Sequence, residues 1–219
     1  MRLAESGASD ETRAAVAGII TLEESMVVPA AQMLARAFQD DPVHGYVFPD
    51  ARQRASTFPA VFAPFLRYGL RAGLVLATES LDGVAVWLPP EHRAIQPDIK
   101  TEAGLDALPT VMGLIAANRL LGFIAHLEAL HRQEISEPHW YLMVLGVEPS
   151  ARRRGVGSAL LRSVLDRADT GGHACYLETA QPANVRFYER HGFVNLGERI
   201  EPQSGLRFWP FLRSRSASP

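Results

Sequence analysis

The spacing of apolar residues changes several times along the chain, and each change marks an element. AGIITL is short and apolar enough for a first strand. PAAQMLARAFQDDP is amphipathic at helical spacing and stops at Asp40-Asp41-Pro42, because proline disfavours helix in the residue before it. A second helix is expected over ARQRASTFPAVFAPFLRYGLRAG, starting late or kinked on account of Pro59 and Pro64. LVLAT and GVAVWL are β-rich runs separated by ESLDG, the pattern of a hairpin. Helical material follows from Thr101 to Gln133.

The last third carries the clearest pattern. WYLMVLGV, Trp140 to Val147, is continuously apolar, as in a strand covered on both faces. After an arginine–glycine loop, Leu160, Leu161, Val164, Leu165 and Ala168 form a helical stripe. ACYLETA is the next strand. PANVRFYERHG is a short helix, with Pro182 near its start and Gly192 where a left-handed C-cap belongs. FVNLGERI and LRFWPFL supply closing strands. Strand, loop, helix and strand make a right-handed crossover, so an α/β (α+β) fold with a mixed sheet is expected.

Composition narrows the partners. With 219 residues, 47% hydrophobic, and a net charge of -2, the chain can build one sizeable core and has no general attraction to nucleic acid or anionic membrane. Domain limits of 16–213 are expected, between a flexible N-terminus (1–15) and a flexible tail (214–219). The most membrane-like run, VMGLIAANRLLGFIAHL, carries Arg119 and His126 and reads as a buried or groove-lining helix. A single cysteine, Cys175, excludes an intramolecular disulfide and fits a reducing cytoplasm. No apolar signal-peptide core is visible near the N-terminus.

The loop from Arg152 to Ser158, RRRGVGS, is built for an anion. Gly155 and Gly157 let backbone approach a ligand closely, and Val156 and Ser158 add N–H groups at the start of a helix whose dipole is positive there. Arg152, Arg153 and Arg154 bring charge that pairs with phosphate. A Walker A loop is excluded by the lack of lysine, and a dinucleotide fingerprint by Leu160 and by the distance from the strand to Gly155.

Arg152-x-x-Gly155-x-Gly157, between an apolar strand and an amphipathic helix, resembles the acetyl-CoA pyrophosphate loop of the GCN5-related N-acetyltransferases. LETAQPANVRFYERHGF is similar to that family's following strand and helix, with Asn184, Tyr188 and Gly192-Phe193 in order. GVAVWLPPE, the loop strand and YLETAQPANVRFYERHGF together look like its puromycin N-acetyltransferase branch, with Arg152 where that branch usually has glutamine. The resemblance implies six to seven strands, with parallel strands splayed around 140–147 and 174–180. It implies an acetyl-CoA-dependent acyltransferase acting on a small-molecule amine in a ternary complex, as a monomer or homodimer. The pantetheine arm would lie along the backbone of Leu145, Gly146 and Val147.

Residue roles follow in part from chemistry. Amide formation from a thioester needs a neutral amine, a stabilised oxyanion and a proton for the departing thiolate. Tyr188 is the candidate acid, or else an aromatic at a helix–sheet contact. Glu178 is a base for the amine or a partner in a structural salt bridge. Gly146 marks a strand bulge or a packing contact. Asn184 contacts the pantetheine or caps its own helix. Asp40 and Asp41 attract a cationic acceptor or form an exposed turn, and Trp87 and Trp140 line the acceptor pocket or the core. Cys175 has no partner for nucleophilic work. His126 and His131, at i and i+5, face different ways, so no metal is expected; His131 or His139 remains an alternative base. Acceptor identity is expected to lie in the segment 89–138. A protein N-acetyltransferase and a silent acyl-CoA sensor are the competing readings.

Overall fold

The computed structural model describes residues 18–92 and 96–215. The termini expected to be flexible fall almost wholly outside these residues. The first strand, β1 (Ile19–Thr21), leads into helix α1 (Val27–Ala37), which ends before the Asp40-Asp41-Pro42 stop. Pro42 then does something the pattern did not announce. It begins a second helix, α2 (Pro42–Val47), where its missing N–H is harmless, and Asp41 Oδ1 caps that helix by accepting from Val43 N at 2.9 Å.

Helix α3 (Ala51–Ala72) is continuous and includes both Pro59 and Pro64, so the expected late start does not occur. Each proline removes one backbone bond, and burial of Phe58, Val61, Phe62 and Leu66 on the same helix offsets that loss. Strands β2 (Leu74–Thr78) and β3 (Gly83–Leu88) form the expected hairpin. The next segment folds as α4 (Pro97–Ala103), α5 (Leu108–Met112) and the long α6 (Leu114–Glu134). Strand β4 (His139–Val147), helix α7 (Val156–Gly171) and strand β5 (Ala174–Thr179) make the crossover. Helix α8 (Val185–Glu189) and strands β6 (Val194–Asn195), β7 (Arg199–Ile200) and β8 (Arg207–Arg213) complete the order.

All eight strands share one mixed sheet, in the order β1-β2-β3-β4-β5-β8-β6 with β7 beside β8. The count exceeds the six to seven expected because FVNLGERI divides into two short strands. Among the described residues only β4 and β5 run parallel. Strand alternation sends Val84, Val86 and Leu88 into a core with α1 and α3, and Ala85 and Trp87 into a second core with α7. The predicted stripe of α7 is almost wholly buried there. Each of its leucines and valines stabilises the fold by about 1.5–3 kcal/mol. Among the described residues no helix is long and apolar enough to cross a membrane.

Candidate active site

The site begins where β4 and β5 part. Their parallel pairing runs from His139↔Ala174 to Leu142↔Leu177 and then ends. Beyond it, β5 stays on β8 through Thr179↔Trp209 while β4 stays on β3 through Val147↔Gly83. Among the described residues the edge of β4 from Met143 to Val147 therefore has no strand on the β5 side, and its backbone groups there need another partner. This covers Leu145, Gly146 and Val147, although Leu177 is still paired.

The accompanying bulge is at Met143, because Val86 pairs with Val144 and Trp87 with Leu142. It was expected at Gly146, whose role is instead steric. A Cβ at Gly146 would stand 2.4 Å from Leu34 Cδ2 and 3.0 Å from Phe38 Cε2, so its bare backbone lets α1 lie directly on the sheet. Of the two readings of this glycine, packing holds.

The arginine–glycine loop forms the N-terminus of α7. Gly155 is its N-cap residue with φ 85°, and Arg153 is also left-handed at φ 63°. A non-glycine in that region costs roughly 1–2 kcal/mol, a strain that the surrounding loop and helix have to offset. Among the described residues no side chain caps α7, so the N–H groups of Val156, Gly157 and Ser158 leave the helix end unsatisfied. Arg153 and Arg154 are exposed beside them. Arg152 is engaged elsewhere: its Nη2 donates to Ala37 O at 2.6 Å, closing the C-terminal end of α1.

A cavity of about 580 Å³ opens from the parted strands and extends beneath α6. Leu120, Phe123, Ile124, Leu127, Glu128 and His131 line it from α6, at the spacing of one helical face. Asp41, Glu178, Asn184, Tyr188 and Leu145 line the same cavity. Asn184 does not cap α8; its Nδ2 donates to Thr179 Oγ1 at 3.4 Å. Asp40, by contrast, is exposed and does not reach the cavity. Trp87 and Trp140 pack edge to face at 6.5 Å in the α7 core, across the sheet from it. Their expected place in the pocket is thus corrected: strand alternation turns them to the opposite face.

The titratable groups differ sharply from their ordinary states. Burial pushes the Glu178 carboxyl up to about 8, and the charge of Glu128 on α6 adds to the rise. The phenols of Tyr141 and Tyr176 pull the other way, yet Glu178 Oε1 and the Tyr176 hydroxyl each lack a hydrogen-bond partner among the described residues, so burial prevails. Among the described residues no salt bridge ties Glu178 down; the groups beside it are the phenols of Tyr141 and Tyr176. Burial, aided by Asp41, holds the Tyr188 phenol above its usual range and therefore protonated. His131 Nε2 lies 2.6 Å from His139 Nε2. Burial and then His139 depress His131 to about 3, so it is neutral at ordinary pH and a poor base. Cys175 is buried and its thiol is pushed up to about 12, which keeps it un-ionised.

Such an arrangement can hold an anion at the α7 end, lay an extended chain along the free edge of β4, and exchange protons at Tyr188 and Glu178. Sequence reasoning missed Glu128 and Tyr141. Glu128 belongs to a stripe at i, i+3, i+4, i+7 and i+8 from Leu120, a signal present in the sequence. Tyr141 was hidden in a run that reads as uniformly apolar.

Residues 78–193 match the acetyltransferase (GNAT) family. An uncharacterised N-acetyltransferase of Schizosaccharomyces pombe is 26% identical over 173 residues, 75% of this chain and 69% of that protein. The crystal structure of the histone acetyltransferase HPA2 and related acetyltransferase of Corynebacterium glutamicum superimposes with a TM-score of 0.65 at 25% identity, covering 91% of this chain and 97% of the other. The polyamine N-acetyltransferase of Drosophila melanogaster, which forms N-acetylagmatine, shares the fold with a TM-score of 0.52 at 16% identity, over 90% of this chain and all of that one (100%).

Proposed function

Because the chain belongs to the acetyltransferase (GNAT) family and is an acyltransferase, we propose that it carries acetyl from acetyl-CoA to a small-molecule amine, with Tyr188 as acid and Glu178 as base. The observation that carries this reading is the single cavity that joins the free edge of β4 to both side chains. Its fit to the co-substrate rests on the uncapped α7 terminus for the phosphates and on the unpaired β4 backbone for the pantetheine arm. Gly155, Val156, Gly157 and Ser158, with Arg153 and Arg154, hold the phosphates; Arg152 has to leave Ala37 O to join them. Leu145, Gly146, Val147 and Asn184 hold the arm.

Acetyl-CoA, the co-substrate of the family, supplies the acetyl thioester. An ammonium has no lone pair, so Glu178 first takes its proton and frees the amine to attack the acetyl carbon. With its proton affinity near pH 8, the carboxyl is strong enough to do this and is partly ionised at neutral pH. A backbone N–H on the free edge of β4 polarises the carbonyl. As the carbon–sulfur bond breaks, Tyr188 gives its proton to the sulfur and regains one from the second proton lost by the attacking nitrogen, and the proton held by Glu178 returns to solvent. Asp41 draws in the cation while capping α2.

The apolar wall that α6 gives the cavity favours a small acceptor over a protein. Likeness to the puromycin acetyltransferase branch rests on motifs, so puromycin belongs in the test. Purified protein with acetyl-CoA is offered pooled amines and free CoA is measured. Turnover above hydrolysis is the expected result; saturable CoA binding with no turnover would make the chain a sensor instead.

A further inference from the structure

The walls of the cavity differ in chemistry from one end to the other. Near Glu178 they are polar, with Tyr141, His131 and Glu128. Away from it, Phe38 on the α1–α2 turn and Phe62 on α3 have ring centroids 5.4 Å apart, and Leu120, Phe123, Ile124 and Leu127 continue the apolar surface on α6. Charge is sparse. Asp41 also lines the cavity, with its Oδ1 occupied by the α2 cap. Glu128 lines the cavity and has no ion-pair partner among the described residues, although Arg132 stands one turn away on the same helix and lines the cavity too.

Resting on the acetyltransferase reading above, we propose that the acceptor is a primary amine on a bulky apolar, preferably aromatic body, with Glu128 binding the ammonium and the Phe38–Phe62 and α6 surface binding the body. Burial of an apolar body against that surface releases water at no polar cost. A polyamine or agmatine carries a second cation along its chain. Bound here, that cation would lie among phenylalanine, leucine and isoleucine, where the carboxylate at hand, Asp41, already accepts from Val43 N and stands 3.3 Å from His44 Nδ1, which is unfavourable. Glu128 acts at the other end. Its charge attracts the ammonium and raises the proton affinity of Glu178, so one residue both binds the acceptor and strengthens its base.

The test compares 2-phenylethylamine and hexylamine with putrescine, agmatine and spermidine at fixed acetyl-CoA, measuring CoA release. Phenylethylamine is expected to exceed putrescine by about 10- to 100-fold in kcat/KM, the range that burial of one phenylalanine-sized group provides. Ile124→Glu puts a carboxylate on the apolar surface and should narrow or reverse that preference, with folding checked by thermal melting. Glu128→Gln should raise KM for the amine several-fold, leave KM for acetyl-CoA unchanged, and lower the pH at which activity rises; Glu128→Asp should restore part of the loss. Preference for spermidine or agmatine overturns this inference and leaves the acetyltransferase reading standing. An unchanged amine KM in Glu128→Gln removes Glu128 from it. Failure to turn over any amine overturns both.

Discussion

At the scale of single residues, burial sets the chemistry at Tyr188 and Glu178. Tyr188 is 5% exposed and held in its protonated form, so Tyr188→Phe removes a proton and little else. We expect kcat to fall about 10²-fold, the usual size for one acid–base group, with the Kd for acetyl-CoA unchanged by calorimetry. Glu178 makes two linked predictions. Activity should rise with pH through about 8 as its carboxyl ionises, and Glu178→Gln should lose most of kcat and the dependence together. The same group also affects stability. Its folded-state proton affinity exceeds that of an ordinary carboxyl near 4.5, so the folded state binds more protons between about pH 4.5 and 8. Stability associated with this group is therefore complete below pH 4.5 and falls as pH rises through 8. Glu178→Gln should match wild type at pH 4 and exceed it by about 1–3 kcal/mol at pH 9 in urea unfolding. A variant with the same slope as wild type would mean that Glu178 titrates normally.

At the scale of elements, two placements make the site: the start of α7 and the seating of α1 on the sheet. Ser158 is the third residue of α7, where an acid suits the helix dipole and opposes a bound phosphate. Ser158→Asp should weaken acetyl-CoA binding about 10-fold while leaving the melting temperature equal or slightly higher. This separates phosphate binding from helix stability more cleanly than Gly157→Val does, because a Cβ at Gly157 also meets Phe187 Cζ at 3.3 Å. On the other side of the sheet, Gly146→Ala drives a methyl into Leu34 and Phe38. It should cost about 1–3 kcal/mol by overpacking, read as a lower urea midpoint at constant slope. Activity should fall as well, since Phe38 lines the cavity.

At the scale of the molecule, the two cores lie on opposite faces of one sheet, and the cavity enters where that sheet divides. A ligand that fills the gap between β4 and β5 ties the two halves together. Saturating acetyl-CoA at about 100 times its Kd should therefore raise stability by about 2.7 kcal/mol, or the melting temperature by about 5–10 °C for a chain of this size. Absence of any shift in a thermal melt would mean that acetyl-CoA does not bind the folded chain.

Local chemistry made much of this legible from the chain alone. The crossover β4–α7–β5 was visible because a buried strand, a glycine turn and a helical stripe each have their own period, and none depends on distant residues. The arginine–glycine turn into α7 was visible for the same reason, since its residues are consecutive. Helix α2 was hidden because Pro42, which the pattern reads as a stop, instead begins the next helix, and only packing shows that the chain turns back to use it. The bulge at Met143, the rotation of Trp87 and Trp140 away from the cavity, and the capture of Arg152 by Ala37 O all depend on register or on contacts between remote segments. Glu178 illustrates the division best. Its position on β5 was fixed by strand alternation, but its basicity comes from burial beneath α6, and burial is a property of neighbours that only the tertiary structure brings together.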